Sequence, residues 1–211
     1  MYIAIEGVIG VGKTTLARLL QPSFNAELLL EIFEENPFLS DFYGDRERFA
    51  FQTQIFFLLS RYHQQRRGVP ESLKNNPWLI SDYTFEKDRL FAEANLSGDE
   101  LETYFRVHEA LAEKIIKPNL IVYLQADTDV LMQRIAHRDR PYERKMDVNY
   151  IDALNQTYET RFKSYPGQTV LTINTNNLDY IRYPEHLEQI DQRIRQTLKL
   201  SPFQESLPID L

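Results

Sequence analysis

Apolar and polar positions along the chain fall into two alternating patterns. Tyr2–Glu6 (YIAIE) is short, apolar and rich in β-branched residues, the signature of a buried parallel strand. Four more runs read the same way: 26–31 (AELLLE), 77–82 (PWLISD), 120–126 (LIVYLQA) and 169–174 (TVLTIN). Helical spacing fills the intervals. It predicts helices over 14–20, closed by Pro22, over 48–67, over 86–96 and over 99–117, stopped by Pro118. Further helices are predicted over 128–138, with Asp127 as N-cap, over 150–162 and over 184–200. The turn-rich stretch 35–45 holds a short helix. Strands separated by helices predict an α/β fold: a parallel five-stranded sheet flanked by helices, with ligands at the carboxyl ends of the strands.

Length and composition add limits. The 211 residues suit one domain over 1–200 with a tail over 201–211, expected to be extended around Pro202 and Pro208. With 43% hydrophobic and 26% charged residues, the composition is that of an ordinary globular chain. There is no cysteine, so disulfides and thiolate metal sites are excluded, which fits a reducing compartment. A net charge of -7 argues against a nucleic-acid partner. A strand starting at Tyr2 leaves no room for a targeting peptide, and no apolar stretch is long enough for a membrane. The expectation is a cytoplasmic protein.

The first interval carries chemistry. Gly7-Val8-Ile9-Gly10-Val11-Gly12-Lys13-Thr14 fits G-x-x-x-x-G-K-[ST], followed by Thr15. Gly7, Gly10 and Gly12 allow the backbone amides to turn inward, and the helix N-terminus adds its dipole. Lys13 is expected at the β- and γ-phosphates and the Thr14 hydroxyl at Mg²⁺. At an average glycine usage of about 7%, the pattern arises by chance in roughly one chain in a hundred, and its place between strand and helix makes chance rarer. A magnesium nucleotide, ATP in the first instance, is the inference.

The loop does not name the acceptor. No guanine-reading N-K-x-D sequence is present, which removes a GTP switch. Glu31 ends the second strand on the ligand edge, where a carboxylate can take a proton from an attacking hydroxyl. Acids also favour helix starts, as Glu34 and Glu35 just beyond illustrate, so residue type alone leaves its role open. Asp82 ends the third strand and is placed to hold Mg²⁺, or to serve as a turn residue. Arg134 and Arg138 share a helix face, and Arg140, Arg144 and Lys145 follow. Guanidiniums there suit the charge of a transferring phosphoryl group; a solvated charged face is the alternative. Gln52, within the long apolar helix, is expected to be buried and able to pair with a planar base.

In order, "IEGVIGVGKTTLA", "EIFEENPFLSDFYGD", "FAFQTQIFFLLSRY", "SDYTFEKDRLFAE", "KPNLIVYLQAD" and "QRIAHRDRPYERK" resemble the deoxynucleoside kinase family, in particular its bacterial deoxyguanosine and deoxyadenosine kinase branch. The likeness runs from Ile3 to about Phe162 and weakens beyond. It implies a P-loop kinase fold with an arginine-rich lid, a homodimer, and transfer of the ATP γ-phosphoryl group to the 5′-hydroxyl of a 2′-deoxynucleoside. By the same resemblance Glu31 is the general base, and Tyr43 and Glu143 hold the sugar 3′-hydroxyl. Gln52 pairs with the base, Asp88 occupies a polar base-pocket position, and Phe91 lies near the stacking phenylalanine, one residue closer than in the animal enzymes. Arg134, Arg138 and Arg140 match the lid arginines.

Two departures stand out. Where many members have Glu-Arg-Ser or Asp-Arg-Ser after the third strand, this chain has Asp82-Tyr83-Thr84 and lacks that arginine. Leu59 is taken to stand where deoxycytidine kinases carry an arginine, which argues against a deoxycytidine-type pocket and for a purine; "DYTF" resembles the deoxyguanosine branch and puts guanine ahead of adenine. The rivals are a nucleoside monophosphate kinase, which needs arginines for its acceptor phosphate, and a nucleotide-binding subunit without turnover.

Overall fold

The structure, a computed structural model, describes residues 1–32, 36–144 and 146–201. Glu34, Glu35, Lys145 and the tail from Pro202 lie outside these. Five strands form one sheet: β1 (Tyr2–Glu6), β2 (Glu27–Leu29), β3 (Leu79–Ser81), β4 (Leu120–Gln125) and β5 (Val170–Asn174). All pairings are parallel, in the spatial order β2-β3-β1-β4-β5. The chain steps one way from β1 to make β3 and β2, and the other way to make β4 and β5. The carboxyl end of β1 is therefore the switch point where a cleft opens.

Eight helices are described: α1 (Lys13–Phe24), α2 (Leu39–Gly44), α3 (Arg46–Asn75), α4 (Glu86–Asn95), α5 (Gly98–Ala112), α6 (Thr128–Arg138), α7 (Val148–Lys163) and α8 (Pro184–Thr197). The central strands β1 and β4 are almost wholly buried, as apolar runs covered on both faces must be. Tyr123, Tyr158 and Phe162 stack beneath β4, with Tyr123–Phe162 centroids 4.7 Å apart.

Several boundaries depart from the sequence reading. Pro22 falls inside the last turn of α1, which ends at Phe24, with Asn25 in the left-handed region at φ 46°. The helix expected over 48–67 runs for 30 residues, through Gly68 and Pro70. Packing outweighs these two breakers: Val69 is fully buried against Tyr2, Ala4 and Leu79. Gly68 is a close approach and not a break, since a Cβ there would sit 2.8 Å from Leu29 Cδ1. α5 stops at Ala112, where i→i+3 bonds from Lys114 and Ile115 tighten the chain well short of Pro118. β2 is only three residues long because the Glu31 amide bonds to the Asp82 side chain and leaves the strand ladder.

Candidate active site

The loop between β1 and α1 forms the floor of the cleft. Gly7, Gly10 and Gly12 have φ of 146°, 89° and 103°. At Gly7 space is as restrictive as φ: a Cβ would come within 2.6 Å of the Leu124 carbonyl oxygen. The N-terminus of α1 points into the cleft, and Thr14 and the half-buried Thr15 form its first turn. Lys13 Nζ donates to the carbonyls of Gly7 at 2.7 Å and Val8 at 3.1 Å. Burial, and then the nearby Lys87 ammonium, push the Lys13 ammonium down to about 7.

Two buried carboxylates tie the loop to the segment after β3. Glu6 accepts from the Thr84 amide at 2.6 Å, its hydroxyl at 2.8 Å and the Gly7 amide at 3.1 Å. Asp82 accepts from the Thr14 hydroxyl at 2.5 Å through Oδ2 and from the Glu31 amide at 2.8 Å through Oδ1. One aspartate thus fixes the helix that opens the loop and the backbone that carries Glu31. The Thr14 hydroxyl and Asp82 carboxylate are adjacent hard oxygens and fit Mg²⁺, which takes one or two protein oxygens and completes its shell with phosphate and water. Among the described residues no group of three or more acids or histidines could hold a metal on its own.

The opposite wall is built from charges. Glu31 Oε1 accepts from Arg61 Nε at 2.9 Å and NH2 at 2.5 Å, and Oε2 accepts from Lys87 Nζ at 2.5 Å. Burial opposes the Glu31 charge, but the Lys87 ammonium and the Arg61 guanidinium prevail and hold the carboxyl well below the glutamate range. Arg61 also pairs through NH1 with Asp88, lies 4.4 Å above the Phe57 ring and keeps its charge against burial through both acids. Asp88 is fully buried, and its Oδ2 has no hydrogen-bond partner among the described residues.

The lid follows α6. Glu143, in a 3₁₀ turn over Pro141–Glu143, accepts from Arg138 Nε at 2.7 Å and NH2 at 2.5 Å, and Arg140 approaches it at 3.7 Å. Tyr142 stacks on Tyr43 with centroids 5.9 Å apart. The cleft, about 720 Å³ counting its open mouth, brings together Gly10, Gly12, Lys13, Thr14, Glu31, Tyr43, Asp82, Phe91, Arg138, Arg140 and Glu143.

Other expectations are corrected. Arg134 is not among the cleft-lining residues. Its guanidinium donates to Thr175 O at 2.7 Å, Thr175 Oγ1 at 3.0 Å and Val11 O at 3.4 Å, bracing the loop against the end of β5. Gln52, expected inside, is exposed; the buried glutamine is Gln54. Leu59 is likewise exposed, and the arginine of this helix in the cleft is Arg61, so Leu59 carries no argument for a purine. Both errors are the same two-residue slip on α3. Gln54, Phe57, Leu58, Arg61 and Gln65 form one buried stripe at helical spacing, and Gln52 and Leu59 lie off it. That stripe was the signal available for Arg61. Lys87 carried none, since it lies between Glu86 and Asp88 in sequence; Glu6, the one charged residue of an apolar strand, was passed over.

The deoxynucleoside kinase family model matches residues 3–199. The chain belongs to the deoxynucleoside kinase family. A deoxyguanosine kinase of Bacillus subtilis is 36% identical over 201 residues, spanning 93% of this chain and 97% of that protein. A deoxyadenosine kinase of Dictyostelium discoideum is 31% identical, spanning 90% of this chain and 77% of the other. Among solved structures, deoxyadenosine kinase from M. mycoides with bound dCTP superposes with a TM-score of 0.80 at 26% identity, covering 93% of this kinase and all of that chain. The kinase thus has a P-loop kinase fold and is an ATP-dependent phosphotransferase of this family. No helix among its described residues is long and apolar enough to cross a membrane.

Proposed function

We propose that this kinase transfers the γ-phosphoryl group of ATP to the 5′-hydroxyl of a purine 2′-deoxynucleoside, as a salvage step. The observation that carries this reading is the Glu31 carboxylate, held ionised just beyond β2 in the same cleft as the phosphate loop. As general base it takes the hydroxyl proton. The loop amides at Gly7, Gly10 and Gly12, with Lys13 and Thr15, hold the ATP phosphates, and Thr14 and Asp82 hold Mg²⁺, which supplies charge neutralisation when bound. Arg138 and Arg140 meet the phosphoryl charge from the lid, while Arg134 keeps the loop in place. Tyr43 and Glu143 take the sugar.

The base lies toward Phe91, Arg61 and Asp88. Asp88 could accept from guanine N1–H or from the adenine amine and does not choose between them; the likeness to a deoxyguanosine kinase supports guanine. A monophosphate acceptor is disfavoured, because its dianion would meet Glu31 while Arg61 is already engaged by two acids. The enzyme is read as a homodimer by its resemblance to the family, and as cytoplasmic, which a cysteine-free sequence fits. Steady-state rates with deoxyguanosine, deoxyadenosine, deoxycytidine and thymidine test the assignment. Purines, deoxyguanosine first, are expected to have the highest kcat/KM, and a pyrimidine optimum would overturn the base choice.

A further inference from the structure

The position after Asp82 poses a problem for this chemistry, because Tyr83 brings no charge to the phosphates. Its side chain is fully buried, and its hydroxyl donates to Gln64 Oε1 at 2.5 Å. Gln64 in turn donates from Nε2 to the Leu30 carbonyl at 2.8 Å. Position 83 therefore braces the backbone beside Glu31 and is not among the residues that line the cleft.

A cation does enter the cleft from the same segment, four residues on. Lys87 stands in the first turn of α4, and its side chain is 8% exposed. It lines the cleft with Lys13, Thr14, Arg138 and Arg140. Its ammonium rests on Glu31 Oε2 at 2.5 Å and lies 5.6 Å from the centroid of the Phe91 ring. An ammonium has three donors, so the Glu31 contact leaves two for other oxygens. A hydroxyl bonded to Glu31 would bring its oxygen, and the phosphorus it attacks, next to Lys87. The other cleft cations are placed differently: Lys13 is held on the phosphate-loop carbonyls, Arg138 and Arg140 approach from the lid, and Arg61 is bound between Glu31 and Asp88.

We infer that Lys87 is the acceptor-side cation for phosphoryl transfer, taking over from α4 the charge that Tyr83 does not supply. In the step itself the acceptor O–H gives its proton to Glu31. The new O–P bond forms as the bond from the γ-phosphorus to the β–γ bridging oxygen breaks, and ADP leaves with that electron pair. Lys87 exchanges no proton; it donates hydrogen bonds to the phosphoryl oxygens as their charge spreads. This rests on the acceptor assignment above.

Lys87→Met keeps most of the stem and removes the charge. It is expected to lower kcat by roughly 10²–10³-fold, as loss of a donor to a developing anion does, and to move KM for the deoxynucleoside by less than about threefold. Lys87→Arg should restore most of the rate. A double-mutant cycle with Glu31→Gln separates direct from indirect action. If Lys87 acts on the phosphoryl group, adding Lys87→Met to Glu31→Gln lowers the residual rate by about tenfold or more. If it serves only to hold Glu31, the double variant is no slower than Glu31→Gln alone, and the inference falls. Should Lys87→Met not fold, as judged by its thermal midpoint, Lys87→Gln carries the same expectations. An active unmodified enzyme whose Lys87→Met rate stays within about threefold overturns the Lys87 role alone. An unmodified enzyme that phosphorylates no deoxynucleoside overturns the acceptor assignment and this inference together.

Discussion

The two walls of the cleft are made by different means. The phosphate side is backbone: one contiguous stretch, Gly7 to Thr15, shaped by glycine conformations and a helix N-terminus. The acceptor side is side-chain charge gathered from afar: Glu31 after β2, Arg61 on α3, and Lys87 and Asp88 on α4. The first tolerates little change in shape but carries few specific groups. The second depends on every charge having its partner, because a buried ion without one is costly. The difference predicts that damage to one wall leaves the other's ligand in place.

Glu31→Gln breaks the comparison most sharply. It should lower kcat by ~10²–10⁴-fold, while calorimetric titration finds ATP affinity nearly unchanged; a large loss of ATP binding would mean the walls are coupled. Arg61→Met removes the shared cation and leaves Asp88 buried without its partner. Urea unfolding should show a loss of about 3–5 kcal/mol. Gly7→Ala attacks the other wall. The forced φ and the close Leu124 carbonyl should weaken ATP binding by about 1–3 kcal/mol, with deoxynucleoside binding spared, as two separate titrations would read.

The smallest effect is in acid. The folded-state pKa of Glu31 lies below its ordinary value of 4.5, so its stabilisation is fully present above that pH and is lost as pH falls through the window beneath it. The Glu31→Gln variant lacks this proton uptake. Its melting temperature should therefore fall less steeply than that of the unmodified kinase between about pH 5 and pH 3. Parallel acid limbs would mean that Glu31 is not held by its two cations.

The same contrast governs what could be read from sequence. The backbone wall was legible almost whole, because its chemistry lies in eight adjacent residues and a strand–helix context. All five strands were legible too, as continuous apolar runs. Helix ends were less so: Pro22, Gly68 and Pro70 carry breaker signals that packing overrides. On the acceptor wall, Glu31 and Asp88 were nameable one at a time, but their joint partner Arg61 was missed. Likeness placed the helix in a register two residues off, and only the buried stripe through Gln54 and Arg61 corrects it. Lys87 could not be singled out locally, since one lysine between two acids on a charged helix start looks like a solvated face. Its meaning comes from Glu31, 56 residues away in the chain.

The proposed acceptor is a neutral hydroxyl beside Glu31, and not a nucleotide that already carries a phosphate. A direct test offers the kinase ATP labelled in its γ-phosphate, with deoxyguanosine and its 5′-monophosphate together at equal concentration, and separates the products. Label appearing in the monophosphate, with none in the diphosphate at early times, is the predicted result. Label accumulating first in the diphosphate would contradict it.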